Sequence, residues 1–148
     1  MFVAAAGVAF FVLVCLIALV IWFGVGFLLG GTMKYRWALE VAAWSQLVAI
    51  PAVVISSALA WIRSSSDVSI GFGVLLGNPD SPGRLVAGLR VFLDAVGPFE
   101  IWHVAVAVLG AAALAGKSRK SVAWVLGGFY GVVTLVRAVL ASLGASPA

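Results

Sequence analysis

The chain has 148 residues, 64% of them hydrophobic and only 9% charged, with nine Lys and Arg against five Asp and Glu for a net charge of +4. A soluble domain carries about 25% charged residues, so this chain cannot cover a water-facing surface and reads as an integral membrane protein of all-α class. The positive charge is too thinly spread for a nucleic-acid binder and instead carries topology information.

The first apolar run, about 2–30, has no basic start and exceeds the ~7–15 apolar residues of a signal peptide. It is expected to stay as a membrane span. At about 1.5 Å per residue it reaches roughly 40 Å, longer than a hydrocarbon core, so it should tilt or project. Cys15, the single cysteine, sits inside this run and reads as a small buried hydrophobe with no disulfide partner. After "GGTMKYR" a second span covers about 38–62, and Pro51 within it predicts a kink.

The connection from Arg63 to Pro98 is irregular. "RSSSDVS" is polar, "IGFGVLLG" is apolar but too short to span, and "NPDSPG" is a turn cluster. Residues 84–96 then place Leu85, Leu89, Phe92 and Val96 on one helical face, with Arg84, Arg90 and Asp94 on the other side. That pattern predicts an amphipathic helix in the membrane interface, or one capping the bundle, with Arg90 and Asp94 as an i, i+4 pair. Spans three and four follow at about 99–116 and 121–143, joined by "GKSRKS". Short connections predict two antiparallel hairpins. The expected fold is therefore a single membrane domain over 1–148: four transmembrane helices as two hairpins plus one interfacial helix. Gly26 with Gly30, and Gly127 with Gly131, have the four-residue spacing that lets helices approach closely.

Lys34 and Arg36 follow span one, Lys117, Arg119 and Lys120 form the turn after span three, and neither tail holds Lys or Arg. In the middle connection Arg63, Arg84 and Arg90 are offset by Asp67, Asp80 and Asp94. The positive-inside bias puts both short loops in the cytoplasm and both termini outside a cell (inner) membrane. Trp37, Trp61, Trp102 and Trp124 fall near span ends, at headgroup level, whereas Trp22 and Trp44 read as deeper packing residues.

Glu100 and His103 open the third span, and Arg137 lies inside the fourth. Residues equidistant from the turn of a tight hairpin share a depth. Reflection through 118–119 places Arg137 opposite Glu100 and Thr134 opposite His103. A lone charge in lipid costs ~2.5–3.5 kcal/mol on insertion scales, so Glu100 is expected to neutralise Arg137, with His103 and Thr134 as hydrogen-bonding members. This cluster fixes helix register or serves a lipid headgroup, an ion or a proton. Glu-x-x-His is half of a carboxylate di-iron motif, but the remaining carboxylates and second pair are missing. His103 as an axial ligand to haem or chlorophyll is the one cofactor role open to it. The basic turn could attract anionic lipid, although topology explains it alone. No nucleophile–base pair, phosphate loop or metal-ligand cluster stands out, so no enzyme activity is expected.

Three stretches carry a family resemblance: "LLGGTMKYRWALEVAAWS", "GNPDSP" and "FLDAVGPFEIWHVAVAVLGAAALAGKSRKSVAWVLGGFY". Over about Gly30 to Leu140 the chain resembles the Yip family, the Ypt/Rab-interacting polytopic membrane proteins, and specifically a bacterial-type member. Family members have five spans and a cytoplasmic N-terminus; this chain shows four and lacks the first span and its cytoplasmic head. Rab binding, associated with that head, does not carry over. The resemblance implies a non-catalytic scaffold or membrane organiser that contacts membrane lipids and other integral membrane proteins, or copies of itself. The alternative is a small accessory subunit of a larger electron-transfer or photosynthetic complex, contacting lipid or pigment.

Overall fold

The computed structural model describes residues 2–63, 71–76 and 83–144. Asp67, Asp80, most of "NPDSPG" and most of "RSSSDVS" lie outside the described residues. Those described form six α-helices, α1 (Phe2–Ile21), α2 (Tyr35–Gln46), α3 (Ala49–Arg63), α4 (Arg84–Ala95), α5 (Pro98–Ala115) and α6 (Arg119–Gly144), with no strand among them. A π-helical segment, Trp22–Leu28, continues α1, and a short 3₁₀ helix spans Phe72–Leu76. Four stretches are long and apolar enough to cross a membrane: Gly7–Leu28, Tyr35–Ile62, Pro98–Ala115 and Arg119–Gly144. The protein is a multi-pass, all-α membrane protein.

The chain packs as two compact units. The first comprises residues 1–48 and 103–129, the second 49–102 and 130–148. The core of the first unit gathers Val14, Ala18, Ile21 and Val25 from the first span and Ala38, Val41 and Ala42 from α2. Ala107, Ala111 and Ala115 of α5 join them, with Val122 and Leu126 of α6. Spaced by four, these alanines present an almost flat stripe that lets neighbouring backbones come close.

Close approach falls on other glycines than spacing indicated. A Cβ at Gly24 would stand 2.8 Å from Val125, and one at Gly110 3.2 Å from both Val41 methyls. Gly127 and Gly131 face open space, and Gly30 has no atom near its missing Cβ. Gly30 serves the backbone instead: its φ of 58° ends the π segment, and the Gly31 N–H returns to the Val25 carbonyl at 3.1 Å. Residues 29–34 then run back beside the helix, burying Met33 at 5% exposure, and Tyr35 donates its hydroxyl to the Cys15 carbonyl. "GGTMKYR" is therefore a packed re-entry and not merely a polar loop.

Turns and breaks follow local chemistry. Gly116, at φ 62°, ends α5 in a Schellman arrangement in which the Lys117 N–H reaches the Ala112 carbonyl at 3.2 Å. Ser118 caps α6, its Oγ accepting from the Ser121 N–H at 3.1 Å. The second span breaks at Leu47–Val48, one turn before Pro51. Proline has no N–H for the Leu47 carbonyl and its ring crowds that carbonyl, so the helix opens on the N-terminal side of the ring.

Candidate functional site

In the second unit, Gly97 and Pro98 start α5 directly after α4, with proline at the first helical position, where its missing N–H costs nothing. The corner is tied by Tyr130 of α6, which donates its hydroxyl to the Ala95 carbonyl at 2.7 Å. That carbonyl is one of the last four of α4, which have no partner within the helix. Tyr130 thus closes the end of α4.

The same phenol gathers the polar residues of this region. Glu100 and Thr134 lie within side-chain interaction range of its hydroxyl, and the Arg137 charge acts on it. The spacing is helical: Tyr130, Thr134 and Arg137 follow at i, i+4 and i+7 on one face of α6. Thr134 is buried at 3% exposure, whereas Glu100 and Arg137 are exposed. Among the described residues, Glu100 and Arg137 form no direct ion pair. Both lie near Tyr130, a residue that sequence reasoning missed. The signal was available, because a tyrosine four residues before Thr134 must face the same way.

His103 makes its hydrogen bond elsewhere. Its Nδ1 lies 3.0 Å from the Ser45 carbonyl of α2. Ser45 stands just before the break at Leu47–Val48, where the backbone tightens into i→i+3 bonds and the Val48 N–H reaches the Ser45 carbonyl at only 3.3 Å. A carbonyl can only accept, so Nδ1 donates its proton in this bond. His103 thereby adds a second donor to a carbonyl at the end of α2.

A second anchor surrounds Asp94. The backbone of Gly71 and Gly73 lies directly against it: a Cβ on Gly73 would overlap the Asp94 carboxylate, and one on Gly71 would stand 2.7 Å from the Asp94 carbonyl. The carboxylate is thus seated at the start of the 3₁₀ helix, whose first N–H groups and positive end favour an anion. Asp94 belongs to this seat rather than simply facing water beside Arg90, though both residues are engaged in polar contacts. The adjoining cleft, ≈ 180 Å³, is lined by Asp94 and Glu100 together with Ala52, Gly71, Gly97 and Phe99. Two carboxylates at one cleft, with the Tyr130 phenol near Glu100, make a polar site in the second unit.

The first unit holds the net positive charge. Its five Lys and Arg face a single acid, Glu40. Arg36 meets Glu40 at 3.2 Å, and the Lys34 ammonium stands over Trp37, 5.8 Å from the ring centroid. Lys117, Arg119 and Lys120 occupy the turn between α5 and α6, with the latter two exposed. Trp44, read as a packing residue from its depth, is 68% exposed on the outer side of α2. Compared with known proteins, the chain matches no family model, no curated protein and no solved structure.

Proposed function

We propose that this protein is a non-catalytic, Yip-like membrane scaffold, working through the helix surfaces it offers to lipid and to other integral membrane proteins or copies of itself. The observation that supports this reading best is how little of the spans the chain buries. In the most apolar window of each span no more than 28% is buried, and in Tyr35–Ile62 only 11%. Such surfaces need acyl chains or neighbouring helices. The basic end is cytoplasmic in this reading, both termini are outside a cell inner membrane, and α4 lies in the outer interface with Leu85, Leu89 and Phe92 toward the acyl boundary. The Glu100–Tyr130–Arg137 group then sits at the outer headgroup level, holding helix register where water can still reach the charges.

One observation favours the accessory-subunit reading. An Nδ1–H donated to a backbone carbonyl is the support that ligating histidines ordinarily have, so His103 presents Nε2 in the form that could ligate haem or chlorophyll iron or magnesium. Native mass and the visible spectrum of gently extracted protein separate the two readings. A colourless homo-oligomer or a complex with non-redox membrane proteins supports the scaffold. Comigration with redox subunits, or an absorption band lost in His103→Ala, overturns it.

A further inference from the structure

The first unit contains a groove of ≈ 270 Å³ between α2 and α5. Val41 and Trp44 line it from α2, Val106, Gly110 and Leu114 from α5, and Glu40 stands at one end. Gly110 makes the groove: without a side chain there, the floor drops to the Val41 methyls. From Leu114 to Val106 the helix rises about 12 Å, enough to seat a large part of one acyl chain.

The end of the groove at Glu40 and Leu114 is also the basic end. Ala115, the last residue of α5, lies 3.4 Å from where a Cβ on Gly31 would be, so the connection carrying Lys34 and Arg36 stands beside the turn carrying Lys117, Arg119 and Lys120. The one acid there is already neutralised by Arg36. No acidic residue of this unit remains to balance the three cations of the turn. An apolar channel that opens beside uncompensated positive charge fits one kind of partner.

We infer that this groove holds an anionic phospholipid, one acyl chain along Val41, Trp44, Val106 and Leu114 and the phosphate among Lys117, Arg119 and Lys120. The chemistry separates it from ordinary annular lipid. The cations select the headgroup's charge, whereas the space above Gly110 selects a position, and both are needed. The inference does not depend on which protein the scaffold contacts, because its failure would leave the native-mass result untouched.

The test uses the full chain in mild detergent, given equal amounts of phosphatidylglycerol and phosphatidylcholine, with retained lipids counted by native mass spectrometry. The wild type should keep one phosphatidylglycerol with a preference of at least about tenfold, since each cation near a headgroup adds severalfold. Lys117→Gln, Arg119→Gln and Lys120→Gln together should bring the preference to about one. Gly110→Leu, which fills the groove and leaves all three cations, should abolish it as well. If the tight seat on Val41 makes that variant unfold, Val106→Phe fills the same space from the other wall. Equal retention of the two lipids by the wild type overturns the inference. So does a phosphatidylglycerol preference that survives the filled groove, which would mark diffuse surface attraction.

Discussion

Two side chains hold the unusual chemistry of this protein in place, Tyr130 and His103. Tyr130 closes the end of α4, and His103 adds a second donor at the end of α2. Tyr130→Phe removes the bond to the Ala95 carbonyl and should cost about 1 kcal/mol. Glu100→Ala and Arg137→Ala, both at exposed positions, should couple by about 0.5–1 kcal/mol in a double-mutant cycle. A fall in that coupling when Tyr130 is Phe would show that the phenol links the two charges, which form no direct ion pair among the described residues. Unfolding by steric trapping in bilayers measures all four terms, and coupling unchanged in the Phe background would show that the charges interact through water alone. His103→Phe should cost about 0.5–1.5 kcal/mol by removing one of the two donors to the Ser45 carbonyl. Pro51→Ala should recover part of that loss by letting the helix close over its own carbonyls. Reflection through the basic turn brought Glu100, Thr134 and Arg137 together because helical rise is uniform along a span. It could not find Ser45, whose need for a donor arises from a helix break in a different span.

At the scale of elements, hydrophobic length identified the four spans and amphipathic period identified α4, predicted at 84–96 and observed as Arg84–Ala95. Both signals are summed over many residues, so local irregularity does not erase them. What escaped were features set by one backbone lying on another. The π segment Trp22–Leu28 reads as ordinary helix in sequence, yet Gly24 must fit under Val125, and the wider turn comes with stacked Phe23 and Phe27 rings at 5.1 Å. Glycine spacing in turn pointed to the wrong glycines, since only the partner surface decides which one is covered. Two substitutions separate the cases. Gly73→Ala drives a methyl into the Asp94 carboxylate and should destabilise by about 1–3 kcal/mol. Gly127→Ala enters open space within a helix and should be neutral or stabilise by up to about 1 kcal/mol. Thermal unfolding in detergent distinguishes them, and a Gly73→Ala variant as stable as the wild type would mean that the seat around Asp94 has room to spare.

For the whole molecule, charge is divided more sharply than composition indicates. The first unit carries five basic residues and one acid, while the second carries four of each, so the net +4 belongs to the first. Arg119 begins α6, whereas Arg137 lies eighteen residues on, about 27 Å along the axis, close to the ~30 Å of a hydrocarbon core. Near the same far end, Gly88 of α4 packs 3.0 Å, measured from its missing Cβ, from the Ala138 carbonyl. The account as a whole therefore rests on α6 crossing the bilayer, with the basic turn in the cytoplasm and α4 outside. Membrane-impermeant thiol labelling of intact cells tests this most directly, in a Cys15→Ala background with a single cysteine at Ser118 or at Arg84. Arg84→Cys should label at once and Ser118→Cys only after the membrane is opened. Labelling of both from outside, or of Ser118→Cys alone, would contradict the topology and with it the scaffold's orientation.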